Sequence, residues 1–161
     1  MTFEAFFREH YGEVVRSMRL LVGDDARAEE LTQEAFARAY RHWRRVQRLD
    51  RPVAWVYVVA TNAARREWRR TRSRETMLAP GTGPADVDAS ASVVTTLDVR
   101  AALAQLTERQ RAAVVLRYAA DLPIAEIAGV MDVAPGTVKA TLHQALARLR
   151  VELTDDEVEP A

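Results

Sequence analysis

Polar side chains able to contact DNA recur along one predicted helix near the end of the chain. The helix should begin at Pro135, because proline fits the first helical position. Its apolar residues recur at helical spacing, and the opposite face carries hydroxyls and long hydrogen-bond donors of the kind that bind base edges and phosphates. That polar face consists of Thr137, Lys139, Thr141, His143, Gln144 and Arg148. Small Gly136 and Ala140 would let the helix approach a backbone closely.

Two earlier helices and a tight turn would hold this face in place. Thr107 and Gln110 have the spacing of a capping box, which starts a helix that residues 121–123 interrupt. The next helix has one buried stripe, and residues 132–134 leave room only for a turn. The stripe is Ile124, Ile127, Ala128 and Met131. A helix-turn-helix of this form is typical of DNA-binding domains, although any small helical bundle also turns polar residues outward.

Arginines form a second cationic group near the middle of the chain. Residues 41–51 contain five arginines and only Asp50 opposes them, and Pro52 then starts another helix. Guanidinium groups pair with phosphates, while aromatic, amide and hydroxyl side chains can contact bases. On this helix Trp55, Thr61 and Asn62 are interleaved with Arg65, Arg66, Arg69 and Arg70. We therefore expect phosphate contact here, with a solvated arginine face as the alternative.

Acidic residues gather where another helix begins. Asp24 can cap a helix predicted from Ala26 to about Arg44, and its start carries Asp24, Asp25, Glu29, Glu30 and Glu34. Dipole complementarity on a solvated face explains these acids from the residues alone, and a docking surface for a basic partner is the sharper hypothesis. The chain has 23 basic and 23 acidic residues, so its net charge is zero. A DNA-binding protein of this charge must segregate its charges or be delivered to DNA by something larger.

The composition argues against several other functions. The chain has no cysteine, and its three histidines, His10, His42 and His143, lack metal-ligand spacing. No glycine-rich phosphate loop or nucleophile motif is present, so we expect no cofactor, no metal and no enzymatic activity. Charged residues interrupt the Phe-rich start, and no apolar run is long enough to span a bilayer. We therefore expect a cytoplasmic chain without a signal peptide or membrane insertion.

These patterns predict an all-α fold of two small domains. A first helix should run from a Thr2 cap to Gly23 and lead into the acidic and arginine-rich helices of a domain at residues 1–72. A segment rich in proline, glycine and small residues makes 73–95 a flexible linker. The helix-turn-helix domain follows at 96–153, and an acidic, frayed tail at 154–161.

Three groups of residues resemble the extracytoplasmic-function (ECF) group of bacterial RNA polymerase sigma factors. Residues 28–36, AEELTQEAF, resemble the polymerase-docking helix of that family, and residues 51–62, RPVAWVYVVATN, resemble its promoter-melting segment. The third group resembles the domain that reads the −35 promoter element, and comprises LTERQR at 106–111, IAEIA at 124–128 and GTVK at 136–139. Together the three groups cover both predicted domains in the right order.

The resemblance implies a role for each predicted surface. The first domain would dock on the clamp helices of the polymerase β′ subunit through Asp24, Glu29, Glu30, Leu31, Gln33 and Glu34. The loop before the melting helix would capture a flipped base of the −10 element. The −10 contacts would be Arg45, Arg48, Arg51, Trp55, Asn62, Arg65, Arg66 and Arg69. The polar face of the last helix would read the −35 element, and its domain would also touch the β flap.

The resemblance implies core RNA polymerase and promoter DNA as partners. Many family members are also held by an anti-sigma factor that packs between the two domains, and the linker is compatible with such a partner. The chain departs from the family at two places. The family often has an aspartate shortly after the asparagine of the melting helix, whereas here Ala63 follows Asn62. The family commonly has serine and arginine after the lysine of the reading helix, whereas this chain has Ala140 and Thr141. Two other hypotheses remain open at this point, a stand-alone helix-turn-helix regulator and an all-helical interaction protein that binds no DNA.

Overall fold

The computed structural model describes residues 1–77 and 94–157, and all regular structure within these two ranges is helical. The first range, called the first unit below, contains α1 (Phe3–Val22), α2 (Asp25–Arg41), α3 (Trp43–Val46) and α4 (Pro52–Met77). The second unit contains α5 (Val94–Ala104), α6 (Glu108–Val114), a π-helical turn (Val115–Ala119), α7 (Ile124–Met131) and α8 (Pro135–Glu157). The prediction of an all-α fold is confirmed. None of these helices is both long and apolar enough to cross a membrane.

A sharp turn at Gly23 joins α1 to α2. The Thr2 hydroxyl accepts a hydrogen bond from the backbone N–H of Ala5 at 3.2 Å, which starts α1 as predicted. α1 ends at Gly23, whose φ of 74° lies in the left-handed region that favours glycine. The Asp24 carboxylate then accepts from the N–H of Arg27 at 3.2 Å and caps α2. The two helices pack against each other along their apolar sides.

The second helix ends earlier than its sequence pattern predicts. α2 stops at Arg41, His42 leaves helical geometry, and α3 begins at Trp43. The break turns Trp43 toward α1, where its ring centroid lies 5.0 Å from that of Phe6. Tyr40, which the pattern placed on the apolar side, is instead 66% exposed.

α4 completes the core of the first unit. Val56 and Ala60 are fully buried, and the Tyr57 hydroxyl lies 3.2 Å from the Ser17 hydroxyl of α1. Burial raises the pKa of Tyr57. Thr61, which the pattern placed among the outward polar residues, is also fully buried. Its hydroxyl has no hydrogen-bond partner among the described residues.

Regular structure extends into both segments that were predicted to lack it. α4 continues to Met77 and α5 begins at Val94, so helices occupy both ends of the predicted linker. The run from Arg72 consists mainly of good helix formers, and the first proline after it is Pro80. The rest of the linker, residues 78–93, lies outside the described residues. α8 continues to Glu157, so residues 154–157 of the tail predicted to be frayed are helical, and 158–161 are not described.

The helix-turn-helix forms with the predicted boundaries and one unpredicted turn. The capping box is complete, because Thr107 accepts from the N–H of Gln110 at 3.1 Å and Gln110 accepts from that of Thr107 at 3.0 Å. After α6 the chain widens into the π-helical turn instead of continuing as a regular helix to Ala120. Asp132 ends α7 with a φ of 54°, and Pro135 is the first residue of α8 as predicted.

The two units share apolar packing. Buried residues of both units belong to one continuous cluster that includes Ala60 of α4 and Leu116 of the π-helical turn. α1 also contacts α5 and α6, and its Leu20 packs against Leu103 and Leu106. The surfaces described below are therefore positioned relative to each other, not only within their own units.

Candidate functional site

The polar face of α8 is exposed along most of its length. Val138 and Leu142 are buried and pack α8 against the rest of the second unit, so the opposite face of the helix turns outward. Thr137, Lys139, His143, Gln144 and Arg148 are exposed as predicted. Thr141 departs from the prediction because it is only 8% exposed, and its hydroxyl donates to the Thr137 carbonyl at 2.7 Å. It lies at the edge of the buried side and is withdrawn from the −35 set.

The arginine loop, residues 43–51, consists of the short helix α3 and the turn that leads into α4. Val46 anchors it in the core, with 1% of its surface exposed, while Arg45 and Arg48 are exposed. Backbone hydrogen bonds, including one from the N–H of Arg48 to the Arg45 carbonyl at 3.1 Å, keep the loop compact. Leu49 is 40% exposed at its tip. The loop thus presents cations and one apolar side chain on a fixed base, which suits a phosphate strand with an unstacked base.

The first turns of α4 continue this surface. Trp55 and Asn62 are half-buried, with Trp55 packed against the apolar core. Arg66 and Arg69 are exposed farther along the same helix. The aromatic, amide and guanidinium groups predicted for −10 contact therefore share one helix that begins at the loop.

A cationic cleft lies between α2 and α4. Its volume is about 630 Å³, and it is lined by five arginines, one glutamate and one alanine. The lining residues are Arg27, Glu34, Arg38, Ala63, Arg66, Arg69 and Arg70. Arg38 was not in the predicted set, because its place on α2 next to apolar positions gave no reason to pair it with residues of α4. Arg70 lies in the arginine run that was expected to contact phosphates, but it was not among the −10 residues that the resemblance implied.

Arg27 ties the walls of this cleft together. Its guanidinium donates to Glu67 of α4 at 2.7 Å and to Glu30 of α2 at 2.5 Å. The hydrogen bond to Glu67 is the main cause of a raised pKa for Arg27. This arginine is therefore occupied by structural partners, and the remaining cations of the cleft are Arg38, Arg66, Arg69 and Arg70.

Two of the predicted −10 arginines contact the second unit. Arg65 donates to the carbonyls of Val130 and Met131, at 2.9 and 3.3 Å. Arg51 donates to the carbonyls of Ala120 and Asp121. Neither contact follows from a sequence pattern, since both depend on how the units pack.

The acidic side of α2 forms a separate exposed face. Glu29, Gln33 and Glu34 are exposed, and Asp24 remains exposed while it caps the helix. Exposed Ala26 and Ala37 lie beside this row and are small enough for a partner helix to approach closely.

Leu31 does not belong to this face. Its side chain is fully buried, so it packs the core and cannot contact a partner in the folded chain. Exposed Tyr40 continues the face and was missed, because a tyrosine at helical spacing from buried residues is normally assigned to the core. Large aromatic side chains are enriched at the energetic centres of interfaces.

Two family models match the chain, one for each unit. The model described as "Sigma-70 region 2" matches residues 6–74. The model described as "Sigma-70, region 4" matches residues 96–149. The first match covers α1 to most of α4, and the second covers the helix-turn-helix.

Curated relatives match along almost the whole chain. The "RNA polymerase sigma-E factor" of Streptomyces coelicolor is 36% identical over 159 residues, which cover 95% of this chain and 86% of the relative. The "ECF RNA polymerase sigma factor SigL" of Mycobacterium tuberculosis is 33% identical over 156 residues, which cover 94% of this chain and 88% of the relative.

A solved structure has the same fold. The sigma factor RpoE of Bartonella quintana, crystallised with the anti-sigma factor NepR, superposes with a TM-score of 0.70 over 98% of both chains at 20% sequence identity. This likeness supports the arrangement of the helices.

Proposed function

The chain belongs to the extracytoplasmic-function group of RNA polymerase sigma factors, and on this premise we propose how its surfaces divide the task of promoter-specific initiation. As an alternative sigma factor it binds core RNA polymerase and promoter DNA and directs transcription initiation. We assign polymerase docking and −10 recognition to residues 1–72, −35 recognition to 96–153, and the role of a linker to 73–95. No chemical step is assigned to the chain itself.

The exposed acidic face of α2 is the proposed polymerase-docking surface. The observation that carries the proposal is the segregation of charge, since this face is separate from the arginine loop and from the outer face of α8. The proposed contacts are Asp24, Glu29, Glu30, Gln33 and Glu34, together with Tyr40. Complementary charge would favour a basic partner surface and oppose the approach of DNA phosphates to the same face.

The arginine loop and the cationic cleft form the proposed −10 surface. Arg45 and Arg48 in the loop, with Trp55 and Asn62 on α4, would bind an unstacked base and its strand. Arg38, Arg66, Arg69 and Arg70 would bind phosphates along the cleft. The cleft shares Glu34 with the docking face, so both ligands of the first unit would meet at one edge of α2.

The exposed face of α8 is the proposed −35 reader. Lys139, Gln144 and Arg148 can donate to base edges or phosphates, and Thr137 and His143 complete the face. Because polymerase delivers both units to one promoter, each needs only modest affinity of its own for DNA. This explains how a chain of zero net charge can serve as a DNA-binding subunit.

The location of the chain and one further partner can also be proposed. We propose a cytoplasmic location, where core polymerase acts, and an anti-sigma factor as a further partner. The Bartonella quintana protein was solved with such a factor. Whole-chain relatives that are sigma factors argue against the stand-alone regulator and against an interaction protein that binds no DNA.

The docking surface is tested by binding to purified core polymerase, measured by gel filtration and by titration of a labelled chain. Glu30→Arg and Gln33→Arg together should lower the affinity about a hundredfold, because like charges across an interface cost several kcal/mol. The matched control is Glu9→Arg with Gln105→Arg, which makes the same change of formal charge at exposed positions away from α2.

The control should bind polymerase as the unchanged chain does. Equal binding by both variants would refute the docking assignment. Tight, sequence-selective DNA binding by a dimer without polymerase association would instead support a stand-alone regulator.

A further inference from the structure

Arg51 joins the arginine loop to the helix-turn-helix. Its guanidinium donates to the backbone carbonyls of Ala120 and Asp121, and one of its nitrogens lies 3.8 Å from the Asp121 carboxylate. Ala120 ends the π-helical turn, and Asp121 follows it with a φ of 54°. Carbonyls at a helix end lack partners within the helix and carry the negative end of its dipole. Arg51 therefore caps a helix end in the other unit.

Arg65 makes the same kind of contact one helix later. It donates to the carbonyls of Val130 and Met131 at 2.9 and 3.3 Å, in the last turn of α7. Asp132 follows in the left-handed region and ends that helix. Both arginines thus bind carbonyls where a helix of the second unit ends, and both belong to the −10 set predicted from the sequence.

A third arginine makes the reciprocal contact from the second unit. Arg100 of α5 donates to the carbonyl of Gly23, at the end of α1, at 3.1 Å. It also donates to the Asp25 carboxylate at 3.0 Å. Arg100 lies in none of the proposed polymerase or DNA surfaces, so its contact serves only the packing of the two units.

We propose that Arg51, Arg65 and Arg100 hold the two units of the free chain together in a closed state. In this state backbone carbonyls of the second unit occupy the guanidinium groups of Arg51 and Arg65, which promoter phosphates would otherwise bind. A carbonyl at a helix end and a phosphate oxygen are both acceptors with negative charge, so one guanidinium can serve either but not both. Closure would thus compete with −10 recognition. This inference rests on the proposed −10 surface and adds Arg51 and Arg65 to its DNA contacts.

The charges around Arg65 indicate that the closed state is easily opened by a polyanion. Burial lowers the pKa of Arg65, and Arg69, Arg109 and Arg72 add repulsion. Arg109 belongs to the second unit, so closure brings like charges of the two units together. The nearby Asp132 carboxylate and an ion pair between Arg72 and Glu108 at 3.7 Å oppose that repulsion. A DNA strand would replace the carbonyls and neutralise the cluster in one step.

The distance between the units in the free chain tests the closure. The chain has no cysteine, so Ala5→Cys in α1 and Ala147→Cys in α8, both at exposed positions, supply one defined pair of sites for fluorescent labels. Energy transfer should report one short distance in the otherwise unchanged chain. Arg100→Gln, and separately Arg51→Gln with Arg65→Gln, should lengthen and broaden it while helix content by circular dichroism stays the same.

Arg48→Gln with Arg66→Gln is the matched control, because both arginines lie on the same loop and helix and neither donates a hydrogen bond to the other unit among the described residues. The control should keep the short distance. A broad distance distribution in the unchanged chain, no response to the three replacements, or equal opening of the control would each overturn the closure.

Binding of mixed-sequence single-stranded DNA at low salt tests the competition. Arg100→Gln should bind this strand several-fold more tightly, on the order of fivefold, because less of the chain is held in the closed state. Unchanged or weaker binding would overturn the competition. Equal polymerase binding by the acidic-face variant and its matched control, with the short distance intact, would refute the proposed docking surface and leave the closure standing, so the two failures are distinguishable.

Discussion

Arginine performs different tasks at different places in this chain because its guanidinium offers several donors in one rigid plane. Arg27 bridges Glu30 and Glu67 and fastens two helices. Arg65 binds carbonyls of the other unit, whereas Arg48 is exposed in the loop. The residue type therefore predicted an affinity for anions and acceptors, and only the structure distinguishes the arginines bound within the chain from the exposed ones.

Residues at the edge of a helical face were the hardest to assign from the sequence. Thr61 and Thr141 are small enough to lie on either side, and both proved to be buried. Leu31 fits the apolar stripe of α2, although the family resemblance suggested docking, and it is buried as the stripe requires. Helical spacing locates the middle of a face well but leaves its border open, because successive residues are about 100° apart around the helix axis.

Thr61→Val separates burial from base contact at such a border. The Thr61 hydroxyl is buried and has no hydrogen-bond partner in the described part of the chain, so replacing it by a methyl group of similar size should raise the free energy of unfolding by about 1 kcal/mol. Urea unfolding followed by circular dichroism measures the change.

Promoter opening by holoenzyme should be unaffected by Thr61→Val. Asn62→Ala, at the adjacent half-buried position, should reduce it. A variant Thr61→Val with normal stability that opens promoters poorly would show that this hydroxyl contacts DNA after all.

Local sequence signals set the element boundaries with good accuracy wherever a cap is present. Thr2, Asp24 and Thr107 each cap the helix they were predicted to start. Two of the boundaries that were wrong, at His42 and in the π-helical turn, have no such signal. There the tertiary packing decides, since the break at His42 lets Trp43 reach the core.

Removing the capping box should destabilise the start of α6 in the second unit. Thr107→Ala deprives the Gln110 N–H of its acceptor and should lower the free energy of unfolding by about 1 kcal/mol. Thr107→Ser keeps a hydroxyl at the same place and should retain most of the stability. The measurement is urea unfolding, with hydrogen exchange at the Gln110 amide as the local readout. Unchanged exchange in Thr107→Ala would show that the cap contributes little.

At the scale of the whole molecule, the sequence predicted two helical units and the surfaces on each, but not their packing. The contacts of Arg51, Arg65 and Arg100 join residues far apart along the chain, and no periodicity or motif links such partners. The zero net charge becomes intelligible only at this scale, because acids of one surface offset the cations of two others. Segregated charge and closure together describe a subunit that binds DNA well only on polymerase.

The most direct test of this division of labour is transcription reconstituted from core polymerase, this chain and fragmented genomic DNA, with start sites mapped by sequencing. Start sites that depend on the chain should share two upstream elements. Lys139→Ala with Gln144→Ala should erase the −35 preference while keeping the −10 preference, since each lost base contact costs about 1–3 kcal/mol. Arg45→Ala with Arg48→Ala should reduce opening at every such promoter. Start sites that do not depend on the chain, or a −35 preference that survives the α8 replacements, would contradict the assignment of these surfaces.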